Sequence, residues 1–152
     1  MSMREQFQML KEIVEIRQIQ LEKSRMGLMQ MQATADQVIA SVKQAEASLH
    51  ERTELWSAAL QRPVLSVIAV INTRGSLSAA KQDCIVLEQQ MAQVNARLAQ
   101  QRQQVGRAQG CLDAAETMAA RYGRQLSKRQ EANQLMDVEE MTGQRRQFDA
   151  NS

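Results

Sequence analysis

The stretch from Arg62 to Ser76, RPVLSVIAVINTRGS, differs from everything around it. It holds the single proline of the chain and its densest aliphatic run, between flanks rich in Gln, Ala, Arg and Glu. The aliphatic part, 64–71, is far shorter than the roughly 20 residues a membrane-spanning helix needs. Pro63 removes a helical hydrogen bond and ends or kinks the helix before it. Gly75 reads as a turn signal, and Ser76 or Ser78 is placed to cap a following helix. The stretch is therefore expected to be a reversal between two long elements.

The flanks carry a seven-residue repeat. Phe7, Val14, Leu21, Leu28, Ala35, Val42, Leu49 and Trp56 step by seven and are all apolar. Their companions three residues on are Leu10, Arg17, Ser24, Met31, Val38, Ala45, Arg52 and Ala59. After the reversal, Leu77, Cys84, Met91, Leu98, Val105, Leu112, Ala119 and Leu126 repeat the pattern, with Ala80, Leu87, Val94, Gln101, Ala108, Ala115, Tyr122 and Arg129 as companions. A repeat sustained over this length keeps one seam turned toward a partner helix, as in a coiled coil.

Two equal arrays about one reversal predict an all-α fold, a long antiparallel two-helix coiled-coil hairpin. It is expected as a single domain over 1–152: helix at about 3–61, tip at about 62–76, helix at about 77–141, polar tail 142–152. Each arm would be roughly 75–90 Å long at 1.5 Å per residue. Facing large residues with small ones pairs Leu21 with Ala115, Leu28 with Ala108, Met91 with Ala45 and Trp56 with Ala80. Displacements of one heptad also satisfy the repeat. Arg17, Ser24, Arg52 and Gln101 are polar intruders in the seam, which lower stability and fix register.

Composition agrees with long helices. Aromatics are 3% of the 152 residues and charged residues 24%, so large core-fillers are scarce and helix formers abundant. The net charge of +2, with no basic block, argues against nucleic-acid binding. No apolar leader is expected at the N-terminus, which carries charges every few residues. Cys84 and Cys111, about 40 Å apart along one helix, are out of bridging reach. With His50 alone they form no metal site, and free thiols point to the reducing cytoplasm. No phosphate loop, nucleophile elbow or His–carboxylate cluster is present, so neither an enzyme nor a cofactor is expected. His50 and the pair Glu139 and Glu140 read as solvated helix side chains.

Two features remain as candidate contact surfaces. Met31 and Met91 fit the seam, whereas Met26 and Met29 lie off it and suit an adaptable surface. Val64, Leu65, Val67, Ile68, Val70 and Ile71 cannot all face one neighbour in a two-helix hairpin. Either the tip folds on itself, or it presents an apolar patch for docking or self-association.

The architecture, the length, and stretches such as MLKEIVEIRQIQLEKSR and AAETMAARYGRQLSKRQEAN resemble the type III secretion stalk proteins of the YscO/FliJ-type family. That resemblance covers nearly the whole chain. It implies a non-enzymatic central stalk that binds the export ATPase hexamer and links it to the cytosolic ring of the export gate. Some members also handle export chaperones. The implied location is cytoplasmic, peripheral to the apparatus at the inner membrane. The ATPase contact would then fall to Arg4, Lys11, Arg17, Arg121, Arg124, Lys128 and Arg129, a basic set complementary to carboxylates. The gate contact would fall to the apolar tip. A prefoldin-like holdase chaperone, with a β-hairpin between its helices, is the alternative that the β-branched tip invites. A structural coiled coil self-associating through its tip is another.

Overall fold

The computed structural model describes residues 1–64 and 66–151. The chain forms two helices, α1 (Met3–Gln61) and α2 (Val67–Ala150), which pack against each other as an antiparallel hairpin. No strand occurs among the described residues. The helix contacts group into two units, Ser24–Val105 and Met1–Lys23 with Gly106–Ser152.

Local chemistry explains where the helices start and stop. Ser2 and Glu5 form a reciprocal capping box: the Glu5 amide donates to Ser2 Oγ (3.2 Å), and the Ser2 amide donates to Glu5 Oε2 (3.1 Å). At the reversal, α1 ends two residues before Pro63. The cap of α2 is Ser66, whose Oγ accepts from the Ala69 amide (3.4 Å) while its carbonyl accepts from the Val70 amide (3.0 Å).

The reversal is thus confined to 62–66, and the expected tip of 62–76 is corrected. Asn72-Thr73-Arg74-Gly75 is helical, Gly75 has no positive φ, and neither Ser76 nor Ser78 begins a helix. The reason is tertiary. Val70 and Thr73 continue the seven-residue repeat one step before Leu77 and Ala80, and both are half-buried. Seam packing at those positions outweighs the roughly 1 kcal/mol that one helical glycine costs. The expected polar tail is also helical, since α2 runs on to Ala150.

In the unit Ser24–Val105, every seam position named from the repeat is buried or half-buried. Ala35, Ala59, Ala80 and Leu98 are its buried apolar residues. Two polar intruders cross to the opposite backbone: Arg52 Nη1 donates to the Ser76 carbonyl (3.1 Å), and Gln101 Nε2 to the Ser24 carbonyl (2.9 Å). The Gln101 amide can reach Ser24 because Gly27 lies in its path without a side chain. A Cβ there would stand 2.9 Å from Gln101 Nε2.

In the unit formed by 1–23 and 106–152, Leu21, Leu112 and Ala115 are buried. The Phe7 ring packs onto Gly123, where a Cβ would approach Phe7 Cε2 to 3.0 Å. The Tyr122 hydroxyl donates to Gln6 Oε1. Arg17 and Arg129, expected in the seam, are exposed. Arg17 turns along its own helix to donate to Gln20 Oε1 (3.1 Å), because a guanidinium keeps its hydration there at no packing cost.

These contacts correct the expected register. Gln101 meets Ser24 and Gly27, which puts it level with Leu28 rather than one heptad away at Ala35. Phe7 meets Gly123 and Gln6 meets Tyr122, whereas size matching placed Phe7 at Arg129. Within each unit the displacement is one heptad and has the same direction. Its cause is the short reversal: α2 begins about ten residues earlier than expected, so every α2 residue meets a residue nearer the start of α1.

Candidate partner-binding surfaces

The apolar segment at the reversal divides once the register is fixed. Val70 turns into the seam and is half-buried. Val64, Val67, Ile68 and Ile71 are 83%, 70%, 74% and 62% exposed, with Leu60 of α1 beside them in sequence at 47%. Leu65 lies outside the described residues. Ile71 follows Val67 by one helical turn, so the two share a side of α2. The tip therefore does not close on itself; it presents aliphatic side chains to solvent.

The basic residues expected to contact a partner are all exposed: Arg4, Lys11 and Arg17 on α1, and Arg121, Arg124, Lys128 and Arg129 on α2. They are not equivalent. Lys11 stands over the Phe7 ring, Nζ 4.6 Å from its centroid, and lines a shallow groove with Glu15 and Glu116. Arg129 Nη1 lies 3.5 Å from Met3 Sδ. On α1 the cations alternate with Glu5, Glu12 and Glu15, so that helix is near neutral there. On α2 no carboxylate intervenes between Glu116 and Glu131. Arg121, Arg124 and Lys128, spaced i, i+3 and i+7, form one cationic stripe on that helix.

Residues with catalytic potential stay dispersed. His50 Nε2 lies 3.1 Å from Glu54 Oε1, one turn along α1, with both side chains exposed. Glu139 and Glu140 are exposed. Among the described residues no three His, Cys, Asp or Glu side chains gather as a metal site, and no helix is long and apolar enough to cross a membrane. Cys84 is half-buried in the seam and Cys111 is exposed, and both are free thiols.

One surface was not foreseen from the sequence. Beyond Arg129, α2 has no α1 residue beside it, and every described residue from 127 to 151 is exposed. Leu135, Val138, Met141 and Phe148 stand out from it at 63%, 59%, 70% and 76% exposure. Their spacing of three, three and seven was the available signal, hidden by the decay of the main seam after Leu126.

No protein family model, curated protein or solved structure matches the chain.

Proposed function

We propose that the chain is a non-enzymatic stalk and coupling protein of a bacterial type III secretion apparatus, held in the cytoplasm at the inner-membrane machinery. The observation that carries this reading is the split of the hairpin's chemistry. Its repeat is spent on the seam, and its outer surface carries a cationic stripe and an aliphatic tip. The stripe of Arg121, Arg124 and Lys128 suits a carboxylate-lined export ATPase hexamer. Val64, Val67, Ile68 and Ile71 suit the cytosolic ring of the export gate, and export chaperones are further partners of such a surface.

The test is to mix the protein with the export ATPase of the same apparatus and follow hydrolysis and hexamer formation. Stimulation that is lost with Arg121→Glu, Arg124→Glu and Lys128→Glu together supports the reading; absence of both binding and stimulation overturns it. The exposed tip also favours a second reading, a structural coiled coil that self-associates there. Under that reading, Ile68→Ser with Ile71→Ser abolishes self-association and no ATPase partner exists. A prefoldin-like holdase is disfavoured, because the tip is helical from Val67.

A further inference from the structure

The tip differs from the rest of the chain in charge as well as in hydropathy. From 52 to 81 there are four cations, Arg52, Arg62, Arg74 and Lys81, and one carboxylate, Glu54. That segment therefore carries +3, against +2 for the whole chain. The carboxylate is engaged, with His50 Nε2 standing 3.1 Å from Glu54 Oε1. Arg52 is turned inward onto the Ser76 carbonyl. Arg62, Arg74 and Lys81 are left exposed near the aliphatic residues.

Their placement is ordered along the axis. Val64, Val67, Ile68 and Ile71 occupy the end of the hairpin. Arg74 follows Val67 by seven residues and Lys81 follows by seven more, so the three share one side of α2. At 1.5 Å per residue, Arg74 lies about 10 Å and Lys81 about 20 Å behind Val67. The two cations line one groove with Trp56 and Ser78.

Three kinds of occupant suit an aliphatic tip, and charge and shape separate them. A second copy set tip to tip would bring Arg62 and Arg74 against their own kind. A protein groove offers a fixed shape, whereas these side chains diverge. Val67, Ile71 and Ile68 spread over about 100° of the circumference of α2, and Val64 stands beyond its start. A bilayer interface closes around a convex apolar end, and anionic headgroups supply the sign that the cations need.

We infer that the tip is a contact site for an anionic membrane surface, entered end-on. Its aliphatic side chains sit at the boundary of headgroups and acyl chains, Arg62 and Arg74 meet lipid phosphates, and Lys81 adds attraction from farther out. Insertion stays shallow, because the last carbonyls of α1 have no helical partner and are not tolerated in hydrocarbon. The inference goes beyond the secretion reading and needs no export protein; a gate ring and a bilayer would compete for the same side chains.

Flotation of the full chain with vesicles tests it, using phosphatidylcholine alone and phosphatidylcholine with roughly 30% phosphatidylglycerol. The chain is expected to float with the anionic vesicles and to bind the neutral ones at least about tenfold more weakly. Ile68→Ser with Ile71→Ser, and separately Arg62→Gln with Arg74→Gln, each weaken binding to the anionic vesicles at least about tenfold. Circular dichroism of both variants stays that of the parent, since all four side chains are exposed. Arg121→Gln with Arg124→Gln and Lys128→Gln leaves flotation unchanged, which separates the tip from adsorption through the other cationic stripe. A chain that does not float overturns the inference and leaves the tip to a protein partner. So does binding that ignores lipid charge, survives the tip substitutions, or disappears with the stripe. The ATPase assay, run without lipid, succeeds or fails independently.

Discussion

Gly27 and Gly75 look alike in sequence and differ in the fold. Nothing lies within 4 Å of a Cβ placed on Gly75, so Gly75→Ala should raise stability by about 0.5–1 kcal/mol through helix propensity alone. At Gly27 the same substitution pushes the Gln101 amide off the Ser24 carbonyl, a hydrogen bond of about 1 kcal/mol, and the gain is cancelled. Thermal unfolding should show Gly27→Ala close to neutral in the parent and stabilising in a Gln101→Ala background, where the obstacle is gone. Additivity in that double-mutant cycle would mean that glycine and glutamine are uncoupled. Leu98 makes the opposite case. It is 8% exposed, one of three buried leucines with Leu21 and Leu112, so Leu98→Ala should cost about 2–3 kcal/mol by denaturant titration.

How much of each helix the sequence discloses depends on whether the information is local. Seam membership is local: the repeat marks Leu21, Ala35, Leu98 and Leu112 one position at a time, and all four are buried. Arg17 and Arg129 were misassigned because a long cation at a seam position can swing to solvent, which spacing does not reveal. Register is not local. Every displacement by seven keeps apolar residues facing apolar residues, and only the length of the reversal selects one. The Asn-Thr-Arg-Gly signal overstated that length, since propensity was outweighed by Val70 and Thr73 in the seam. The observed register places Ala45 opposite Cys84; both are half-buried, and Ala45 shares a shallow groove with Asp83 and Leu87, which flank Cys84 in α2. Ala45→Cys, made with Cys111→Ser, should therefore link to Cys84 through a short bis-maleimide within one chain. In the size-matched register Met91 faces Ala45 and Cys84 is about 10 Å away along the axis. Linkage of Cys84 to position 52 in preference to 45 would return that register. The candidate surfaces were legible only as residue types. The cationic stripe could be read from spacing, whereas the lone end of α2 depends on where α1 runs out.

The molecule buries little for its length. Ala35, Ala59, Ala80 and Ala115 make up much of the buried set, and no large side chain among the described residues is fully enclosed. Such a chain has small reserves, and binding to a partner would add to its apparent stability by mass action. The reversal at 62–66 has a further consequence, for how the protein can change in length. Because the chain turns back at once, the arms act as a mirrored ruler, on which each residue has a counterpart equally far from the fold line. A gain or loss on one arm alone throws every pair beyond it out of step. Removing 32–38 together with 91–97 takes one heptad from both sides of the mirror and should leave a shorter hairpin with unchanged helicity and cooperative melting. Removing either segment alone should lower the melting temperature, because the Gln101–Ser24 hydrogen bond and the Phe7–Gly123 contact, both past the cut, are lost. A length change that keeps the present pairing is thereby a matched seven, made at two distant stretches of the sequence together.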